Sequence, residues 1–413
     1  MEIKQCKRCL YKSNHPLGIV IDKDGICSGC RIHEEKDILD WDQRFEKLKS
    51  IIKPYKSKTK FNYDCIIPVT GANDSYYIVH LAKNKLGLNP LLVSYNKYFN
   101  TPLGINNLSN LRIKFNCDIL IQNINPLSVK KITKETLRRL GNIYWPCLAG
   151  QSVFPVQIAI KYKVPLIIWG AHQGIEQVGM FSHTHEVEMT RRYRKDHDLM
   201  GIEADNLINI ENTLSEEDIW QYRYPSDHEI NSIGIRGIYL GNYVRWDPKS
   251  QHEEMINLYK YKTSSFQRTF DCYDYIDCYN YMDIHDLLKL YKHGYSKVTD
   301  HACREIRFGR ITRNQAIKLV NYYQFKELKY KKLFEEWLNI PNKSLTFLLN
   351  QFRNKNYWEE IEIGKWKFRE SIDQKDINQN KKIILNEKAN FLENNKLDME
   401  KESKYIIFGK GYP

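Results

Sequence analysis

Between residues 62 and 170, short β-branched apolar runs alternate with longer stretches whose apolar side chains recur at helical spacing. CIIPV at 65 to 69, PLLVSY at 90 to 95, DILIQ at 118 to 122 and VPLIIWG at 164 to 170 are read as strands. The stretches SYYIVHLAKNKLG (stopped by Gly87), TPLGINNLSNLRIKF, LSVKKITKETLRRLG and VFPVQIAIKYK are read as helices. This alternation predicts an α/β domain over residues 60–205, a doubly wound parallel sheet covered on both faces. Upstream, Trp41, Phe45, Leu48 and Ile52 share one helical face, which predicts a linker helix within 34–59 that Pro54 closes. Residues 206–369 carry mainly helical patterns: DPKSQHEEMINLYKYK opening at Asp247-Pro248, YMDIHDLLKLYKHGYS and TRNQAIKLVNYYQ. Residues 370–413 are polar and near charge balance, a weakly ordered extension in which KYIIFG could add a strand. No internal repeat is found.

With 413 residues the chain has room for a large domain and a smaller one. No apolar run is long enough to cross a bilayer, and MEIKQCKRCL is not a charged-then-apolar leader. A cytoplasmic protein with no membrane partner is therefore expected. The net charge of +13 would attract polyanions, yet Lys and Arg are spread along the chain with no dense basic arm. A nucleic-acid partner is not expected on that ground. Two short clusters, TRRYRK at 190 to 195 and REIRFGRITR at 304 to 313, alternate Arg with apolar residues and suit a structured phosphate pocket.

Cysteine usage is uneven. Cys6-x2-Cys9 and Cys27-x2-Cys30 lie within the first 30 residues, 17 residues apart, a spacing that can set four thiolates tetrahedrally around one Zn²⁺. A zinc ribbon is expected over residues 1–33, with Asp24-Gly25 turning its second knuckle. Two disulfides or an iron-sulfur site are the alternatives. A four-thiolate site leaves no open position, so its role would be structural. The other six cysteines form no further Cys-x-x-Cys, and only Cys147, in YWPCLAGQ, stands in a loop-like Pro/Gly context.

In such sheets ligands bind beyond the carboxyl ends of the strands. That places candidates in VTGANDS at 69 to 75, after Ser94, in a loop from Trp145 to Gln151, and in the long polar stretch after Trp169. In the last of these, His183, His185 and Glu186 form at most a metal fragment with no third ligand fixed. Asp300, His301, Arg304, Arg307 and Arg310 recur at about helical spacing. They suit either a clamp for phosphate or carboxylate or a salt-bridged surface face. VTGANDS itself is a small-residue turn between strand and helix, whose backbone N–H groups favour an anion. It lacks both GxxxxGK[ST] and GxGxxG.

The loop resembles the SGGxDS pyrophosphate loop of the PP-loop, N-type ATP pyrophosphatases, with Thr70, Gly71, Ala72, Asn73, Asp74 and Ser75 in its six positions. The resemblance extends over residues 1 to 365. CKRCLYKSNHPLGIVIDKDGICSGC, NPLLVSYN, FPVQIAIKYKVPLIIWG, GIRGIYLGNYVRWDPKSQHEE and HDLLKLYKHGYSKVTDHACREIRFGRITRNQAI are similar to the N-acetyl sugar amidotransferases. That family includes the pseudaminic and legionaminic acid amidotransferases and a related enzyme of lipopolysaccharide biosynthesis. It implies an adenine nucleotide alpha hydrolase-like fold and an activity in which ATP adenylates an acetamido carbonyl and ammonia displaces AMP. The product is an acetamidino sugar for lipopolysaccharide or flagellin glycosylation. Thr70 and Ser75 with the Gly71 to Ser75 amides would hold the pyrophosphate of ATP, and Asp74 would hold Mg²⁺ or orient the loop. Asp74 and Ser75 would be catalytic, and Ser94 and Gly170 would border the nucleotide. His172, Glu176, Arg191, His301 and Arg304 are the candidate sugar contacts.

Relatives carry SGGKDS, so Ala72 and Asn73 replace a Gly and a Lys, and the loop could be impaired. Ammonia is expected from glutaminase and cyclase-like partner subunits, since no Cys-His-Glu glutaminase is recognisable here. A tRNA-modifying PP-loop sulfurtransferase, and a catalytically impaired scaffold for the ammonia-supplying partner, stand as alternatives.

Overall fold

Five short strands form one parallel sheet in the computed structural model, which describes residues 3–57, 61–72, 74–208, 213–369, 383, 385 and 387–395. The strands are β1 (Cys65–Pro68), β2 (Pro90–Tyr95), β3 (Ile119–Gln122), β4 (Leu166–Trp169) and β5 (Arg236–Tyr239), in the order β3-β2-β1-β4-β5. The chain winds outward from β1 to β3 and then restarts on the other side at β4. β1 and β4 therefore flank the point where the winding reverses, with Ile66 opposite Ile167.

The first six helices are α1 (Ser28–Glu34), α2 (Trp41–Ile52), α3 (Ser75–His80), α4 (Pro102–Phe115), α5 (Pro126–Leu140) and α6 (Trp145–Tyr162). Period-two alternation divides the strands between two cores. Cys65, Ile67, Leu92, Leu166 and Ile168 share a cluster with Ile78 and Val79 of α3 and Leu111 of α4. Ile66, Leu91, Val93 and Ile167 instead pack with Phe154, Val156, Ile158 and Ala159 of α6. Each such side chain contributes roughly 1.5–3 kcal/mol by leaving water, which explains why these runs are apolar at every position. Helix starts follow from local chemistry: Thr101 accepts from the Gly104 amide and Asn125 from that of Leu127, with Pro102 and Pro126 in the first turns.

Two sequence readings are corrected. Trp145 to Gln151 is not a loop but the first two turns of α6. Pro146 sits where a missing N–H leaves no hydrogen bond unmade, and Gly150 is required because a Cβ there would stand 2.1 Å from the Tyr95 ring. β5 lies within the region read as helical. Its sequence, RGIY, is too short and too interrupted to register as an apolar run, and Gly237 is needed because a Cβ would meet the Met189 side chain at 2.6 Å.

Between β4 and β5 come three short helices, α7 (Arg191–Tyr193), α8 (Glu216–Ile219) and α9 (Asp227–Ile233). A helical region follows: α10 (Pro248–Tyr259), α11 (Asp286–His293), α12 (Lys297–Arg307), α13 (Arg313–Tyr323), α14 (Lys331–Leu338) and α15 (Asn342–Asn350). It ends in an antiparallel hairpin of β6 (Trp358–Glu362) and β7 (Lys365–Phe368). Asp247 caps α10 and Thr312 caps α13, as their sequences imply. The N-terminal cysteine segment shares a core with this region rather than with the sheet, Cys9, Leu10 and Ile19 packing with Val298, Cys303 and Val320. Within the polar extension, Phe391 packs on Tyr273 and Phe270. Asn73 and KYIIFG lie outside the described residues. Among the described residues no helix is long and apolar enough to cross a membrane.

Candidate functional site

The loop after β1 is closed on itself by two hydroxyls. The Thr70 amide donates to Ser75 Oγ at 2.9 Å, while the Thr70 and Ser75 hydroxyls both donate to the Ala72 carbonyl, at 3.1 and 2.9 Å. The Ala72 amide returns a bond to Thr70 Oγ1 at 3.1 Å. Gly71 admits no side chain, since a Cβ would stand 1.9 Å from the Gly104 carbonyl oxygen. Ala72 is fully buried and is not among the described non-glycine residues with positive φ. Its methyl group therefore imposes no left-handed strain.

Asp74 immediately precedes α3 without capping it through its side chain, and its carboxylate lies against the end of β4 across the winding reversal. A Cβ on Gly170 would lie 1.9 Å from Asp74 Oδ2, so only glycine lets the carboxylate rest on the end of that strand. Burial pushes the Asp74 carboxyl up to about 6, with Asp274 adding to the rise and His252 and the Ala171 amide opposing it. Thr70, Asp74, Ser75 and Gly170 line one side of a cavity of about 720 Å³, a size that suits a nucleotide and a second substrate. Ser94 lies behind the loop in a small recess with Thr70, Gly71, Lys97 and Asp277. There Lys97 and Asp277 form a buried ion pair at 2.7 Å.

The same cavity is also lined by side chains from the helical region: Tyr281, His285, Lys289, Lys292, His293 and Lys297. His15 of the cysteine segment joins them, its Nε2 2.6 Å from the Tyr295 hydroxyl. Asp300 anchors this wall. It pairs with Lys289 and Lys297 and accepts from the Tyr11 hydroxyl at 2.7 Å and from Gln177 at 3.1 Å. Burial, reinforced by the lysines, lowers His15 to about 3 and His293 to about 4, so both are neutral at pH 7. A third wall carries Arg194, which pairs with Asp198 at 2.7 Å and stacks 4.0 Å from the centre of the Trp169 ring.

None of the five candidate sugar contacts lines this cavity. His172 is buried behind it, against Tyr193 and Tyr239, and burial lowers it to about 4. Glu176 pairs with Lys36 at 2.6 Å; although burial acts upward, Lys36 and His183 hold its carboxyl down to about 2. Arg191 is exposed and bonds both oxygens of Glu203. His301 is bonded by Thr269 through Nδ1 at 2.6 Å. Arg304 is committed to Asp271, Asp274 and Glu305, so it is neither a free clamp nor a solvated surface pair. Of the arginines that follow, Arg307 bonds the carbonyls of Glu176 and Gln177, and Arg310 pairs with Asp247 and Glu305. His183 bonds Glu35 instead of joining His185 in a metal fragment. Cys147 is buried in α6, its thiol donating to the Lys97 carbonyl.

Sequence reading missed the basic wall. Its signal is present in HDLLKLYKHG, where His285, Lys289, Lys292 and His293 fall on one helical face, but the sequence places that stretch only as a helix within the family-like segment, with no site residue in it.

The four N-terminal cysteines are fully buried and their sulfurs lie within 4.8 Å of one another, Cys9 and Cys27 at 3.5 Å. The Cys9 and Cys27 amides both donate to Cys6 Sγ, at 3.4 and 3.3 Å. Such a cluster could hold a metal ion. Asp271, Asp274 and His301 also converge, but the Arg304 guanidinium occupies both carboxylates.

Residues 257–373, which supply the basic wall, match the family described as "LPS biosynthesis protein WbpG-like, C-terminal domain". The match supports a place among lipopolysaccharide-related sugar biosynthesis proteins and is consistent with a role in glycan biosynthesis. The chain is also 28% identical over 122 residues to the uncharacterized protein MJ1599 of Methanocaldococcus jannaschii, across 29% of its own length and 42% of that relative's.

Proposed function

We propose that the protein is an ATP-dependent, AMP-forming amidotransferase that converts an acetamido group of a surface-glycan sugar precursor into an acetamidino group. The observation carrying this reading is one cavity between two unlike walls: a PP-loop-like turn at the winding reversal of a parallel sheet, and a face drawn from the region similar to lipopolysaccharide biosynthesis proteins.

In the first step the acetamido carbonyl oxygen attacks the α-phosphorus of ATP, forming a C–O–P bond as pyrophosphate departs. Ammonia then attacks the same carbon, loses a proton, and AMP leaves with the oxygen. The chain's part is positioning and charge stabilisation. The Thr70 and Ser75 hydroxyls fix the loop so that its amides can bind the pyrophosphate. Asp74 is the residue that would hold Mg²⁺, which when bound neutralises pyrophosphate charge. The sugar is a nonulosonic acid or a diacetamido uronic acid. Ammonia comes from outside the chain, in keeping with glutaminase and cyclase-like partner subunits. We take the Cys6, Cys9, Cys27 and Cys30 cluster for a structural zinc site, because four converging thiols are the donor set that Zn²⁺ prefers.

The test is purified protein with ATP, Mg²⁺ and ammonium, with AMP followed by chromatography in the presence of a diacetamido nonulosonic acid, of tRNA, or of neither. AMP release that depends on the sugar is expected. Release that depends on tRNA would point to a sulfurtransferase, and no release with any acceptor would point to a scaffold.

A further inference from the structure

The part of the cavity lining drawn from the helical region carries an unbalanced positive charge. Lys289, Lys292 and Lys297 line it, and Asp300 is the carboxylate that Lys289 and Lys297 share. Lys292 has only the Leu140 carbonyl, at 3.0 Å, as a partner among the described residues. The aromatic groups beside them provide no countercharge: Lys289 lies 4.4 Å from the centre of the Tyr295 ring and Lys297 5.0 Å from that of Tyr281. The other carboxylates on these helices are already paired, Asp286 with the buried Arg268 at 2.7 Å and Glu305 with Arg304 and Arg310. Across the cavity, Asp198 is paired with Arg194, and Asp196 is exposed and 3.6 Å from Arg192. Three ammonium groups against one carboxylate, facing a space that can hold a ligand, is an arrangement completed by an anion.

We propose that Lys289, Lys292 and Lys297 form the subsite for an anionic group on the sugar substrate, either a ring carboxylate or a nucleotide diphosphate. Both sources offer several oxygen acceptors on one group, which three donors from two turns of α11 and the start of α12 can share. The proposed pyrophosphate loop lines the same cavity, so a sugar whose anion docks on the lysines shares its space with Asp74 and Ser75. Asp300 is a positioning residue in this scheme. It holds Lys289 and Lys297 apart from each other and is itself held by Tyr11 of the cysteine segment. Assigning the wall to the sugar instead of to ATP rests on the amidotransferase reading.

Calorimetry on the full chain tests the subsite without turnover. The probes are N-acetylneuraminic acid for the carboxylate, UDP-N-acetylglucosamine for the diphosphate, neutral N-acetylglucosamine, and ATP with Mg²⁺. At least one anionic probe is expected to bind about tenfold or more tightly than the neutral sugar, and whichever does so identifies the source of the charge. Lys292→Gln should remove most of that preference, Lys292→Arg should restore it, and ATP affinity should be unchanged in both. Lys292 is the residue of choice because replacing it leaves no carboxylate unpaired, and a thermal melt confirms that each variant folds. Equal binding of neutral and anionic probes, or an unchanged preference in Lys292→Gln, overturns the proposal. So does a loss of ATP affinity in place of sugar affinity, which would give the wall to the nucleotide. A retained charge preference in a protein that forms no AMP would leave the subsite standing and overturn the amidotransferase reading alone.

Discussion

Beside Thr70, which keeps the hydroxyl of the first Ser, the loop departs from SGGKDS at Ala72 and Asn73, and these two substitutions differ in kind. Ala72 is buried and free of positive φ, so restoring glycine should not speed ATP turnover. Ala72→Gly should instead lower stability by about 1 kcal/mol, through the lost methyl and the added chain entropy, read as a drop in melting temperature. Asn73→Lys would add positive charge beside the pyrophosphate and is expected to raise ATP affinity, measured by titration. Asp74 makes a pH prediction. Its carboxyl sits near 6 in the folded protein, above its value in the unfolded chain, so the charged form that would hold Mg²⁺ is lost as pH falls through about 6. The affinity for Mg²⁺ with ATP should weaken over that window, and Asp74→Asn should be weak at every pH with the dependence gone. The loop was legible in the sequence because its six residues are contiguous and their types are dictated by a tight turn. Gly170 was also legible, as the end of the most apolar strand, but the reason it must be glycine is the Asp74 carboxylate lying against it, about a hundred residues away in sequence.

At the scale of elements, the cysteine segment is part of the cavity wall. Ser28 at the start of α1 donates to the Val178 carbonyl at 2.6 Å, the Leu10 amide lies 3.3 Å from Cys303 Sγ, and Tyr11 fixes Asp300 behind two of the cavity lysines. Removing the metal we assign to Cys6, Cys9, Cys27 and Cys30 should therefore weaken binding of acidic sugars more than binding of ATP. Elemental analysis should find one zinc per chain, and Cys9→Ser should lose it together with a marked fall in melting temperature. Cysteine spacing revealed this cluster, but not that it docks on α12 and α13. Strand and helix alternation revealed β1 to β4, because the runs of β1, β2 and β4 are apolar and largely buried, and that of the half-buried edge strand β3 is still apolar over three positions. β5 was hidden by Arg236 and Gly237, and the start of α6 by Pro146 and Gly150. These residues break a local pattern and are explained by neighbours distant in the chain: Glu188 pairs with Arg236, and Tyr95 lies against Gly150.

For the whole molecule, the net charge of +13 is less informative than where a few of the charges point. Most arginines singled out in the sequence are neutralised in pairs, as Arg304 and Arg310 are by Asp271, Asp274, Glu305 and Asp247. The three cavity lysines have a single carboxylate, Asp300, which Lys289 and Lys297 share, and burial with the repulsion of Lys297 holds Lys289 down to about 8 against the pull of Asp300. Binding of an acidic sugar should therefore weaken as pH rises through about 8, and Lys289→Gln should flatten that dependence. This wall could not be assembled from sequence, since it needs the ribbon-like N-terminus, α11 and α12 to meet over a loop some two hundred residues upstream of the helices. The proposed activity is the replacement of an acetamido oxygen by nitrogen. Mass spectrometry of the sugar after incubation with ATP, Mg²⁺ and heavy-nitrogen ammonium measures that step directly. The account predicts a product in which one oxygen has become a labelled NH, with one AMP formed per product; AMP released while the sugar keeps its oxygen would contradict it.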